Sequence, residues 1–121
     1  MVHKADTGPV NADEVLSRLM EGNARFLRGE PRYSRAPKEI LANLTKSQQP
    51  FATILGCSDS RVPPELIFDA AFGDLFVIRV AGNVWSHEIM GSLQYAATHL
   101  KTHLIMVLGH EVWRRFSTFC M

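Results

Sequence analysis

In the first third of the chain apolar residues recur at helical spacing; from Phe51 onward they bunch into short runs. Asn11-Ala12-Asp13-Glu14 has the form of a helix start, an Asx cap followed by Glu at the third helical position. Val15, Leu19, Phe26 and Leu27 then mark one apolar face, and Gly29 with Pro31 ends the element. Arg18, Glu21, Arg25 and Arg28 are assigned to the wet side. A second helical stretch opens at Pro37 and carries Ile40, Leu41 and Leu44. The polar segment 30–36 between them reads as a connection.

Phe51 to Gly56 is an apolar run of the kind a strand buried on both faces requires. Leu75 to Val80 and Leu104 to Leu108 are two more. Pro63-Pro64-Glu65 begins a short helix through Ile67 and Phe68. Ile89, Leu93, Ala96, Ala97 and Leu100 predict a longer one. Strands alternating with helices make this an α/β chain with a parallel β-sheet core and flanking helices.

Composition narrows the function. With 13 basic and 12 acidic residues among 121, the net charge is +1, which argues against a nucleic-acid partner bound by bulk electrostatics. The 46% hydrophobic content suffices for one modest core. No apolar run reaches the roughly 18 residues of a membrane span, so no membrane partner is expected. The N-terminus, MVHKADTGPVNADE, lacks the apolar stretch of a secretory signal. Two cysteines, Cys57 and Cys120, are too few for a disulfide scaffold and point to a reducing, cytoplasmic setting.

In a parallel sheet the loops beyond the strands' carboxyl ends build the binding site. Here those ends carry Cys57, Asp59, Arg61, Asn83 and His110. Thiolate and imidazole are ligand types that zinc favours. Asp59 can accept a hydrogen bond or ligate a metal, and Arg61 can hold it by a charge-assisted pair. If the stretch is extended, the Cys-x-Asp-x-Arg alternation puts all three side chains on one side. Each residue also has a plainer reading. Cys57 can be a small buried hydrophobe, His110 a turn histidine, and Asp59 with Arg61 a structural ion pair. Ser58 and Ser60 lack the G-x-S-x-G surroundings of a nucleophile. By spacing alone, a metal site and an ordinary loop stand level.

The stretch Cys57-Ser58-Asp59-Ser60-Arg61-Val62-Pro63 closely resembles the fingerprint of the β-class carbonic anhydrases. The resemblance continues through Phe76-Val77-Ile78-Arg79-Val80-Ala81-Gly82-Asn83, Ser92-Leu93-Gln94-Tyr95-Ala96 and Leu108-Gly109-His110. Gly22-Asn23 and Arg25-Phe26 resemble part of the family's first helix. It implies reversible hydration of carbon dioxide to bicarbonate on one Zn2+ per chain. By the same resemblance Cys57 and His110 bind zinc, with a second cysteine completing the family's set. Asp59 either accepts a hydrogen bond from the zinc-bound hydroxide or moves onto the metal, and Arg61 governs that choice. Gln48 matches a glutamine that hydrogen-bonds substrate. Phe76, Ala81, Gly82 and Tyr95 match the pocket that receives it, partly across a dimer interface; the plainer reading of Phe76 and Tyr95 is ordinary core. A homodimer or higher even oligomer is implied. The whole chain, 1–121, is then one domain of this family with residues 1–46 as an N-terminal helical arm.

The sequence departs from the family at its end. Where the family has His-x-x-Cys-Gly-Ala, this chain has His110-Glu111-Val112-Trp113-Arg114-Arg115, so Trp113 stands at the zinc cysteine. Residues 112–121 form a tail outside the resemblance, and the C-terminal part of the family fold is expected to be missing. Codons permitted at positions 112–115, read one nucleotide on, allow Cys-Gly-Ala-Val, so a frameshift would produce this tail. The expectation is a family enzyme with impaired activity. Its alternative is a non-catalytic, truncated or frameshifted member serving as a fold remnant or interaction protein. Cys120 folding back, or Cys57, Asp59 and His110 with water, are the two routes to a complete ligand set.

Overall fold

The computed structural model describes residues 11–32 and 38–111. Helix α1 (Ala12–Arg28) starts where the Asn11 side chain accepts the Glu14 N–H at 2.8 Å. It ends where Gly29, at φ 71°, turns left-handed and the Gly29 and Glu30 N–H groups close on the Phe26 and Arg25 carbonyls at 3.0 Å. Asp13 and Glu14 at its start and Arg25 and Arg28 at its end oppose the helix dipole. Helix α2 (Lys38–Leu44) lies before the sheet, and α3 (Pro64–Ile67) opens with proline in its first turn as expected.

Three strands, β1 (Ala52–Gly56), β2 (Leu75–Arg79) and β3 (Ile105–Leu108), form a parallel sheet in the order β2-β1-β3. Ala52 pairs with Leu75 and Gly56 with Arg79; Thr53 pairs with Ile105 and Gly56 with Leu108. One sheet face, with Ala52 and Ile54 at its centre, packs against Val15 and Leu19 of α1 and against Phe68. On the other, Leu55, Ile78 and Val80 meet Ile89 and Leu93 of α4 (His87–Thr98). The Thr53 hydroxyl, fully buried, bonds that of Thr102 at 2.8 Å, which ties the chain after α4 to the central strand. No helix among the described residues is long and apolar enough to cross a membrane.

Three details differ from the sequence expectation. Only β1 is buried along its whole length; β2 is half-buried, and Ile105 and Val107 of β3 are 46% and 62% exposed. The reason is position: β1 is central, whereas β3 is an edge and the apolar face of α4 packs on β1 and β2. In α1, Val15 and Leu19 are buried but Phe26 and Leu27 are exposed, and Arg25, assigned to water, turns inward. A Cβ at Gly22 would run into the Phe68 carbonyl, so glycine is what lets the helix approach this closely. One turn later Arg25 Nε reaches the buried Asp69 carboxylate at 2.6 Å, so an ion pair replaces apolar packing. Finally, α4 ends at Thr98, leaving Leu100 outside it and Ala97 exposed.

Candidate metal and active site

The carboxyl ends of the three strands converge as the sequence predicts. Gly56 pairs with Leu108, so Cys57 and His110 leave neighbouring strands one and two residues beyond that pair. Arg79 pairs with Gly56 from the other side. Past β2 the chain makes a 3₁₀ turn, Ala81–Asn83, with Gly82 at φ 70° and Asn83 at φ 53°.

Cys57 is buried, and its Sγ accepts the Gly82 N–H at 3.4 Å. Asp59 lies two residues on, and it is gripped by Arg61. Arg61 Nη2 donates to Oδ2 at 2.6 Å, Nε to Oδ1 at 3.0 Å, and the Arg61 backbone N–H to Oδ1 at 2.9 Å. The Val62 N–H also closes on the Asp59 carbonyl at 3.2 Å, so this segment is a turn and not an extended alternation. Arg61 therefore folds back on Asp59 through an Asx-type turn. An ionised carboxylate offers about four acceptor positions; Arg61 fills two on Oδ1 and one on Oδ2. One acceptor position on Oδ2 takes no donor among the described residues.

The electrostatics follow from that geometry. The Arg61 side-chain bonds, and then its backbone N–H, hold the Asp59 carboxyl well below the usual carboxylate range. Desolvation opposes them, and the charges of Arg61 and, last, His110 add to the lowering. His110 thus stands near enough to act on Asp59. Reciprocally, Asp59 raises the Arg61 pKa.

Arg79 is a site residue that the sequence reading passed over. Its Nε donates to the Cys57 carbonyl at 2.7 Å and its Nη2 to the Asp59 carbonyl at 2.5 Å, so one guanidinium braces the whole loop. Its signal was a charge closing an apolar run. Asn83 adds a second brace, its Nδ2 donating to the Leu108 carbonyl at 3.1 Å. Its Oδ1 is buried with no hydrogen-bond donor among the described residues, an arrangement worth about 1–3 kcal/mol of lost hydration.

The other expected site residues fall elsewhere. Gln48 is exposed in a shallow depression with residues 44–47 and Gly73, before β1 begins and so at the opposite end of the sheet from Cys57. Phe76 and Tyr95 pair with ring centroids 5.9 Å apart, and Tyr95 stacks on His99 at 5.0 Å. Ala81 is exposed at the rim. The structure therefore brings Cys57, Asp59, Arg61, Gly82 and His110 to one edge and leaves Gln48 remote from it. Trp113 and Cys120 lie outside the described residues.

Among the described residues no three His, Cys, Asp or Glu side chains form a metal cage. The donor chemistry at the strand ends nevertheless fits a borderline-soft divalent ion. A buried thiol whose sulfur takes an N–H bond sits one strand from an imidazole.

Comparison with known proteins points the same way. A family model described as carbonic anhydrase matches residues 52–112. A carbonic anhydrase of Mycolicibacterium smegmatis is 48% identical over 93 residues, covering 77% of this chain and 45% of that protein. The chain thus spans about half the length of the curated relatives it matches. Among solved structures, the β-carbonic anhydrase CcaA superposes with a TM-score of 0.60 at 35% identity, over 79% of this chain and 44% of that one. A tetrameric β-carbonic anhydrase of the ascomycete Sordaria macrospora gives 0.55 at 26% identity, over 76% and 47%.

Proposed function

Because the chain belongs to the carbonic anhydrase family, in its β class, we propose that its chemistry is the reversible hydration of carbon dioxide to bicarbonate. β-Carbonic anhydrases are zinc enzymes, and Cys57 and His110 are the residues here that would hold the ion. Zinc, when bound, supplies a Lewis acid that activates water at neutral pH. Asp59 stays ionised under the grip of Arg61, and its remaining Oδ2 position would accept a hydrogen bond from the O–H of the attacking group and fix the direction of attack. Arg79 keeps the Cys57 and Asp59 carbonyls in place, fixing the backbone that carries the thiol and the carboxylate. The single observation that carries this reading is the three-bond Arg61–Asp59 clamp beside the ends of β1 and β3.

Carbon dioxide is small and apolar, so its pocket needs apolar walls and one amide donor. Gln48, with Phe76 and Tyr95, has that chemistry but stands away from Cys57 in the same chain. We assign these residues to the site of a second copy, in a homodimer or higher even assembly; the tetrameric S. macrospora enzymes support that assignment. A reducing, cytoplasmic setting suits a buried thiol at the site.

Activity in this chain is proposed to be impaired, because Trp113 takes the position of the family's zinc cysteine. A second reading, a non-catalytic member acting through its surfaces, is favoured by the exposed apolar residues Ile105, Val107 and Trp85. Zinc content and the rate of CO2 hydration separate the two. About one zinc per chain with hydration above background, increased in a Trp113→Cys variant, supports the enzyme. Metal-free protein at background rate, unchanged by Trp113→Cys, overturns it in favour of the second reading.

A further inference from the structure

Resting on the zinc reading above, we propose that Asn83 is a positioning residue for the metal centre, clamping the β3 end that carries His110 while its neighbour Gly82 holds the Cys57 sulfur. The two bonds come from consecutive residues in one turn. Gly82 N–H donates to Cys57 Sγ at 3.4 Å, and Asn83 Nδ2 donates to the Leu108 carbonyl at 3.1 Å. Leu108 is the last residue of β3 and the partner of Gly56, which immediately precedes Cys57. The ladder between β1 and β3 therefore ends at the point where both donor residues begin. Asn83 spans from the end of β2 across β1 to β3 and takes over where the ladder stops.

The backbone alone does not account for an asparagine here. At φ 53° glycine would serve without steric strain. Instead a side chain is kept whose Oδ1 is buried without a donor among the described residues. Its use lies at the other end of the amide, in the bond to Leu108. Groups hydrogen-bonded directly to metal ligands typically change metal affinity by roughly 10- to 100-fold when removed; Asn83 acts one step further out, through the Leu108 carbonyl two residues before His110.

The test uses the full chain, cleared of metal and titrated with Co2+ as the probe, following the thiolate-to-cobalt charge-transfer band and the d–d bands. Asn83→Gly keeps the left-handed backbone and removes the bond; Asn83→Asp keeps the shape and removes the donor. The expected result is a band in the parent, with Co2+ bound roughly 10-fold more weakly in both variants, the lower end of that range, and altered d–d intensity, while both still melt cooperatively. A parent band that the variants leave unchanged overturns the role of Asn83 alone. No thiolate band in the parent overturns the zinc reading, and the proposal with it. Loss of cooperative melting in both variants makes the bond a support of the fold and overturns its role as a positioning contact.

Discussion

Arg61 meets Asp59 fork to fork, Nη2 on Oδ2 at 2.6 Å and Nε on Oδ1 at 3.0 Å, only two residues apart in the chain. The segment does not place both groups by strand alternation. It does so by a turn, with Arg79 holding the Cys57 and Asp59 carbonyls from the neighbouring strand. The carboxylate is thereby kept charged and pointed, the condition its proposed chemistry needs.

Asp59 is expected to remain ionised as pH falls through the ordinary aspartate value of 3.8. Because its pKa is lowered by folding, it contributes stability above that value and loses the contribution only as pH drops toward the folded pKa. In Arg61→Ala the Asp59 carboxyl should titrate at higher pH, shifted toward but still below 3.8, because the backbone N–H of residue 61 still donates to it. The 13C shift of its carboxyl carbon against pH reads this directly; an unchanged midpoint would show that Arg61 is not the cause.

Gly22→Ala tests the docking of α1 on α3. Alanine is favoured over glycine in a helix by about 1 kcal/mol, yet a Cβ here would run into the Phe68 carbonyl. Overpacking of this kind costs about 1–3 kcal/mol, and a backbone carbonyl cannot swing aside as a side chain can. Urea unfolding should show a net loss of stability. A gain would mean that the two helices slide apart freely.

Arg25 is the counter-charge of the buried Asp69, whose side chain is 2% exposed. Arg25→Ala should destabilise by about 3 kcal/mol, the usual effect of breaking one partner from a buried pair. The Arg32 N–H remains on the same carboxylate oxygen at 2.9 Å and limits the damage. Combining Arg25→Ala with Asp69→Asn in a double-mutant cycle should return a coupling energy well above zero; additive losses would assign the effect to packing.

Val107 is 62% exposed on the edge strand. Val107→Lys should therefore change folding stability by no more than about 0.5 kcal/mol. It should, however, reduce self-association in sedimentation velocity, since a charged edge resists pairing. A large loss of stability would reveal that this face is covered in the solution state.

Much of this architecture could be read from the residues, and the exceptions have a common cause. Asn11, Gly29 and Pro64 announce helix ends because capping is local, a matter of three or four residues. That Cys57, Asp59 and His110 lie beyond the ends of neighbouring strands follows from strand order, although among the described residues the three do not close into a metal cage. By contrast, whether a run such as Ile105 to Leu108 is covered depends on where α4 packs, which no local pattern encodes. Arg25 shows the same limit, since its partner Asp69 lies 44 positions away. Arg79 was opaque as a site residue, and Asn83 was legible at the strand ends only by position, because both act through backbone carbonyls, which carry no signature in side-chain chemistry.

The central place of β1 has a consequence for biogenesis. Both of its partners come later in the chain: Thr53 must wait for Phe76 and then for Ile105. With synthesis proceeding at roughly 5–20 residues per second, several seconds pass between the making of the most deeply buried strand and the making of its second neighbour. During that interval the nascent chain depends on α1 or on a chaperone to shield it, so yield in the cell should respond to translation speed between β1 and β3 more than to speed anywhere before it.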